Sequence, residues 1–279
     1  MKPIEGCIKH LITICIGLVL ISCSGGEGGS LPAVGDVQVD QLRLGQASTF
    51  KFSGVNLGQD FQVSIANCAG LSVLPGGGAL QQQVTCQPTK VGALEVTSKT
   101  MAGVVMLVKT FNIPSPQVKI STNFGDMVVE LNPAAAPITV SNYLKYVNAN
   151  FYNGTLFHRL IPQFVVQGGW LTTEMFEKPG AGSAIVLESN NGLKNTRGSI
   201  AMARGTNPNS GTTQFYFNLV DNPKLDYESD ASPGYAVFGK IVEGLNVLDI
   251  MSQISTASLY GLDNVPTSNL RINSAVQIQ

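Results

Sequence analysis

Across most of residues 34–278 the apolar side chains recur at every second position in short runs broken by glycine, and helical spacing is confined to two brief stretches. Period-two alternation marks strands that bury one face, so the chain is predicted to be mainly β. In the first half the runs include Val37-Gln38-Val39, Thr49-Phe50-Lys51-Phe52, Phe61-Gln62-Val63-Ser64-Ile65, Gln83-Val84-Thr85-Cys86 and Leu94-Glu95-Val96-Thr97. Gly54, Gly58, Gly70 and the triplet Gly76-Gly77-Gly78 supply the breaks between them.

Residues 34–113 are therefore expected to form an immunoglobulin-like β-sandwich, near the lower size limit for a self-supporting core. Ile113-Pro114-Ser115-Pro116 reads as a stiff joint, because two prolines in four residues hold the backbone extended. A second domain, residues 117–279, opens with a hairpin turning at Asn123-Phe124-Gly125-Asp126. Val140, Tyr143, Leu144 and Val147 form one helical stripe, and Val247, Ile250, Met251 and Ile254 a second. Further strand-like runs cover residues 214–220, 235–242 and 270–278.

Residues 1–22 carry Lys2 and Lys9 and then an apolar run over residues 11–21, too short for a spanning helix of about 20 residues and suited to a signal peptide. The sequence LISC at residues 20–23 resembles the bacterial lipobox, which implies lipidation of Cys23. Ser24 next to it resembles the signal for outer-membrane sorting, so a lipid-anchored protein of the cell envelope facing the periplasm is expected. Residues 23–33, with the glycine- and serine-rich SGGEGGS, make the tether. Cys7 and Cys15 leave with the signal and Cys23 takes the lipid. Outside the cytoplasm Cys68 and Cys86 then most simply form a disulfide. A reactive or metal-binding pair has little support, since the only histidines are His10 and His158.

The chemistry concentrates in FHRLIPQFVVQGG, residues 157–169. Arg159 places a fixed cation in an apolar segment, with the aromatic Phe164 and the amide Gln167 five and eight positions on. Val165 and Val166 favour extended backbone, and Gly168-Gly169 suits a close approach. A buried strand whose arginine snorkels to solvent is the bland reading of such a segment.

Met202-Ala203-Arg204, then Gln214-Phe215-Tyr216-Phe217-Asn218, then Gly234-Tyr235-Ala236-Val237-Phe238-Gly239-Lys240 follow in order. Together with residues 157–169 they closely resemble the cyclophilin family of peptidyl-prolyl isomerases, over residues 117–279. The resemblance implies a closed eight-stranded antiparallel barrel capped by two helices, with the ligand groove outside because side chains fill the interior. It implies that Arg159 is catalytic. Phe164, Val165, Tyr216 and Leu225 would form the proline pocket, and Gln167, Ala203, Arg204 and Gln214 would hold the neighbouring peptide. Tyr235 stands where eukaryotic members often have histidine.

The implied reaction is rotation about X-Pro bonds of exported proteins, without covalent intermediate, cofactor or metal. Val165 replaces a frequent methionine, Tyr216 a usual phenylalanine and Lys224 a frequent large aromatic. These departures imply a narrowed or wetted pocket, an opened wall and weaker binding of the family's cyclic-peptide inhibitor. The alternative function is a membrane-tethered proline-recognising binding or chaperone module with little isomerase activity.

A serine hydrolase using His158 with Ser199 or Ser210 fits poorly, since that histidine lies inside the motif. Net charge is −1 with 13% charged residues and no basic run, which excludes ordinary nucleic-acid binding. No Gly-Lys-Ser/Thr follows the triplet at residues 76–78, so it is not a phosphate loop.

Overall fold

The alternating runs become strands. The structure is a computed structural model that describes residues 31–58 and 60–279. The signal, LISC and Cys23 lie outside the described residues. Seven strands come first: β1 (Ala33–Val39), β2 (Ser48–Val55), β3 (Gln62–Ile65), β4 (Cys68–Val73), β5 (Gln81–Pro88), β6 (Gly92–Lys99) and β7 (Val105–Ile113). They make a four-stranded sheet ordered β1-β2-β5-β4 and a three-stranded sheet ordered β3-β6-β7. Phe50, Phe52, Val84, Leu94 and Val96 are buried, with the Phe50 and Phe111 rings 5.8 Å apart and Phe52 and Phe61 5.1 Å apart. Cys68 and Cys86 form a disulfide between the neighbouring strands β4 and β5. Strands β4 and β7 have no counterpart among the alternating runs quoted above, since β4 is mostly exposed on both faces.

Strands β8 (Gln117–Thr122), β9 (Gly125–Leu131), β10 (Thr155–Ile161), β11 (Val165–Thr172), β12 (Ser199–Met202), β13 (Phe215–Asn218), β14 (Val237–Glu243) and β17 (Ile272–Gln277) form one antiparallel sheet. Its order is β10-β11-β13-β12-β14-β9-β8-β17. Backbone N–H groups of Gly154 and Phe157 donate to Ile272 and Leu270, each at 2.8 Å, which brings the last strand back to the first and nearly closes the barrel. Phe157, Leu160, Val166, Phe215, Phe217 and Ile200 fill the interior.

Helix α1 (Pro137–Asn148) buries Val140, Tyr143, Leu144 and Val147, the expected stripe. Its open N-terminus is satisfied from a distance: the Glu188 carboxylate accepts the N–H groups of Ile138 at 3.0 Å and Thr139 at 2.7 Å. The second helix, α2 (Asn246–Ser252), is shorter than its stripe suggested. It buries Val247, Leu248 and Met251 and leaves Ile250 44% exposed. Thr256 then begins a hairpin of β15 (Thr256–Leu259) and β16 (Leu262–Pro266), so Ile254 lies beyond the helix.

Candidate active site

Antiparallel register sets the site. Across the outer face of the barrel Arg159 pairs with Gln167, Gln167 with Tyr216, Tyr216 with Ala201 and Ala201 with Val237. One row thus crosses β10, β11, β13, β12 and β14. Period-two alternation alone would put Phe157 and Leu160 on opposite faces, yet both are core residues. The register shift between Phe157 and Arg159 resolves this, because the extra residue His158 lets Phe157 and Leu160 point inward while Arg159 stays outward.

Arg159, Phe164, Val165, Gln167, Ala203, Arg204, Tyr216, Leu225 and Tyr235 line a cavity of about 230 Å³. Val165, Ala201, Ala203, Tyr216 and Val237 form its buried floor, with Phe164, Leu193, Leu225 and Tyr235 packed around them. Every substrate-binding residue expected from the sequence except Gln214 touches this cavity. Gln214 instead accepts a hydrogen bond from Gln167 Nε2 at 2.9 Å, while Gln167 Oε1 lies 3.5 Å from Arg159 Nη1. Among the described residues Arg159 has no carboxylate partner. Its guanidinium is therefore steered by an amide relay and keeps its charge for a ligand.

Arg204 behaves differently. Its Nε and Nη2 donate to the Gly234 carbonyl at 3.0 and 2.8 Å, and Nη1 donates to that of Gly205 at 2.9 Å. Its guanidinium carbon sits 4.7 Å from the Tyr235 ring centroid, and that ring meets Tyr216 edge-on at 5.7 Å. Arg204 thus braces the rim. Gly234 is at φ +57°, and a Cβ there would fall 2.5 Å from the Asp226 carbonyl oxygen, so only glycine allows this approach.

Tyr216 neither wets the pocket nor narrows it with its hydroxyl. The hydroxyl points behind the wall and donates to Asn195 Oδ1 at 2.7 Å, and burial pushes its pKa up. Lys224 is exposed, and Leu193 with Leu225 packs beside the pocket floor. His158 is 5% exposed, its ring 5.3 Å from Trp170, and burial draws its pKa down to about 4. Ala201, Val237, Leu193 and Asn195 also build this site and were not among the residues expected from the sequence. Register across strands could have supplied the first two, whereas residues 188–198 have no period to read.

The fold and the site together define a mainly β barrel that carries, on its outer face, an apolar, aromatic-walled cavity lined by Arg159 and Arg204. The family model described as cyclophilin type peptidyl-prolyl cis-trans isomerase/CLD matches residues 117–277, more than half of the chain. The chain belongs to this family. It is 45% identical over 175 residues to a peptidyl-prolyl cis-trans isomerase of Acinetobacter baylyi, covering 62% of this chain and 91% of that one. It is 43% identical over 161 residues to peptidyl-prolyl cis-trans isomerase A of Dickeya dadantii, covering 58% and 84%. A crystal structure of a Cryptosporidium parvum cyclophilin type isomerase matches in fold, with a TM-score of 0.50 at 24% identity over 60% of this chain and 99% of that one.

Proposed function

We infer that the outer groove catalyses cis-trans rotation about X-Pro peptide bonds, and that in the cell it serves exported polypeptides. The chain is a peptidyl-prolyl cis-trans isomerase. The observation that carries the mechanism is the position of Arg159, held by Gln167 on the open face of the cavity.

An X-Pro bond has partial double-bond character and a barrier of roughly 20 kcal/mol, so uncatalysed exchange takes tens of seconds. At the twisted transition state resonance is lost and the nitrogen regains a lone pair. A guanidinium N–H aimed at that nitrogen binds the transition state better than the planar amide, which is the condition for acceleration. No covalent bond changes. A preorganised donor supplies about 3 to 4 kcal/mol, whereas a 10⁵-fold acceleration needs about 7, so the remainder must come from gripping the ring and orienting its neighbours. Phe164, Val165, Tyr216 and Leu225 form the grip, and the Gln167–Gln214 pair offers amides to the flanking backbone. A protease-coupled assay on a prolyl tetrapeptide tests this. Background turnover by the wild type sinks the assignment.

The same reading places the enzyme at a bacterial envelope, most simply the outer membrane facing the periplasm, through a lipid on Cys23. The support is LISC, the tether after it and the two cysteines at 68 and 86 that have paired. Labelling with a palmitate analogue tests the anchor, and label persisting in Cys23→Ser would exclude that attachment site. Residues 34–113 are read as an immunoglobulin-like domain joined at residues 114–116 to the isomerase domain, residues 117–279. Four strands ordered β1-β2-β5-β4 beside three ordered β3-β6-β7 support that assignment, since constant-type immunoglobulin domains have this arrangement.

A further inference from the structure

Behind the proline pocket lies a buried polar cluster that the isomerase chemistry does not itself require. Asn195 is 2% exposed and belongs to a segment without strand or helix. Its backbone N–H and Nδ2 donate to one oxygen of Asp226, at 2.7 and 3.0 Å. Its Oδ1 accepts from the Tyr216 hydroxyl at 2.7 Å and from Asn218 Nδ2 at 3.2 Å. The cluster continues to the far wall. Asn218 Oδ1 accepts from Asn222 Nδ2 at 2.7 Å, and that same nitrogen lies 2.9 Å from the carbonyl oxygen of Phe164. Asn222 N–H returns to the Asn195 carbonyl at 2.8 Å.

We propose that Asn195 is a positioning residue for the isomerase reaction, which through Tyr216 on one side and Asn222 on the other fixes the width of the proline pocket. This rests on the isomerase reading of that pocket. Two walls meet the substrate ring, the Tyr216 ring and the Phe164 segment, and they come from different parts of the chain. Dispersion between aromatic walls resists a lateral shift only weakly, whereas linked hydrogen bonds in a low-dielectric interior have strongly preferred distances and directions. Asn195 joins both walls to Asp226, a group on the segment that also carries Leu225. The pocket is consequently a clamp of set span, and the residue it selects for is a five-membered ring.

The test is a double-mutant cycle on the full chain with Asn195→Ala, Tyr216→Phe and both, read as kcat and KM for a prolyl tetrapeptide and for its pipecolyl homologue, whose ring has one more methylene. A well-fitted apolar site discriminates one methylene by roughly tenfold or more, so the wild type is expected to prefer the prolyl peptide by at least that ratio. Tyr216→Phe keeps the ring and loses only its tether. It should lower the prolyl preference several-fold, chiefly through KM. Asn195→Ala should lower prolyl kcat/KM by about tenfold, and the double variant should be no worse than the poorer single one, the signature of residues acting through each other. Losses that multiply, or an unchanged prolyl-to-pipecolyl ratio in Tyr216→Phe, would overturn the proposal. Should Asn195→Ala fail to fold, that ratio in Tyr216→Phe still decides. A wild type without prolyl turnover would instead remove the isomerase reading itself.

Discussion

Acid should weaken the fold through His158 before it touches the carboxylates. The imidazole is 5% exposed, packs edge-on against Trp170 and lies beside the Arg159 charge. Burial, then the neighbouring guanidinium, hold its pKa at about 4 against 6.5 in an unfolded chain. Between those two values the unfolded chain binds a proton that the folded one refuses, so stability rises with pH across this window. The contribution is complete above pH 6.5 and is lost as pH falls to about 4. A displacement of this size corresponds to about 3 kcal/mol, a large part of the 5–15 kcal/mol typical of a domain. Denaturant unfolding of the wild type and of His158→Gln at a series of pH values from 7.5 to 4.5 measures it. The wild type should lose stability by up to roughly 1.4 kcal/mol per pH unit within the window, and the variant should lack this component. A wild-type curve that stays flat from pH 7 to 5, or one that the variant reproduces, would refute the reasoning. Because the folded chain protonates His158, the bulged residue beside Arg159, only near pH 4, isomerase activity should hold through this window and fall as pH approaches 4.

Gly169, at φ +84° with Thr213 O and the Tyr152 ring within 3 Å of a would-be Cβ, should not accept a side chain. Gly169→Ala is expected to lose about 2 kcal/mol or more of stability, seen as a lower denaturant midpoint. Breaking the Cys68–Cys86 disulfide, which closes a sequence separation of 18, should cost about 3 kcal/mol, measurable by comparing denaturant unfolding with and without reductant. Arg204→Lys loses the forked contact to Gly234 O and the stack on Tyr235, and should raise KM several-fold for a prolyl peptide with little change in kcat.

Part of the barrel could be read from alternation, as in β8, where Val118 and Ile120 are buried and Lys119 between them is exposed, whereas β12 and β13 are buried on both faces. Several residues that line the outer cavity were also legible, since Arg159, Phe164, Val165, Gln167, Ala203, Arg204, Tyr216 and Tyr235 fall inside motifs that keep their order, while Leu225 does not. What alternation could not convey is phase. The bulge at His158 shifts it by one residue, and α2 turns Leu248 inward where spacing pointed to Ile250. Nor could it reveal the purpose of the Tyr216 hydroxyl. That depends on Asn195, 21 positions earlier in an irregular segment, whose place is set by hydrogen bonds and not by any repeat. The hairpin of β15 and β16 escaped because its partly exposed strands show no buried face to count.

In the reaction proposed for the groove, the Arg159 guanidinium favours the twisted amide over the planar one. NMR exchange spectroscopy on a proline peptide, with wild type and Arg159→Ala, separates the two states: bound-state interconversion rate reports the first and peptide Kd the second. Removal of the guanidinium should slow interconversion by roughly 10² to 10³-fold while Kd changes only a few-fold. A Kd that weakens as much as the rate, or a rate that survives, would show that Arg159 merely binds substrate.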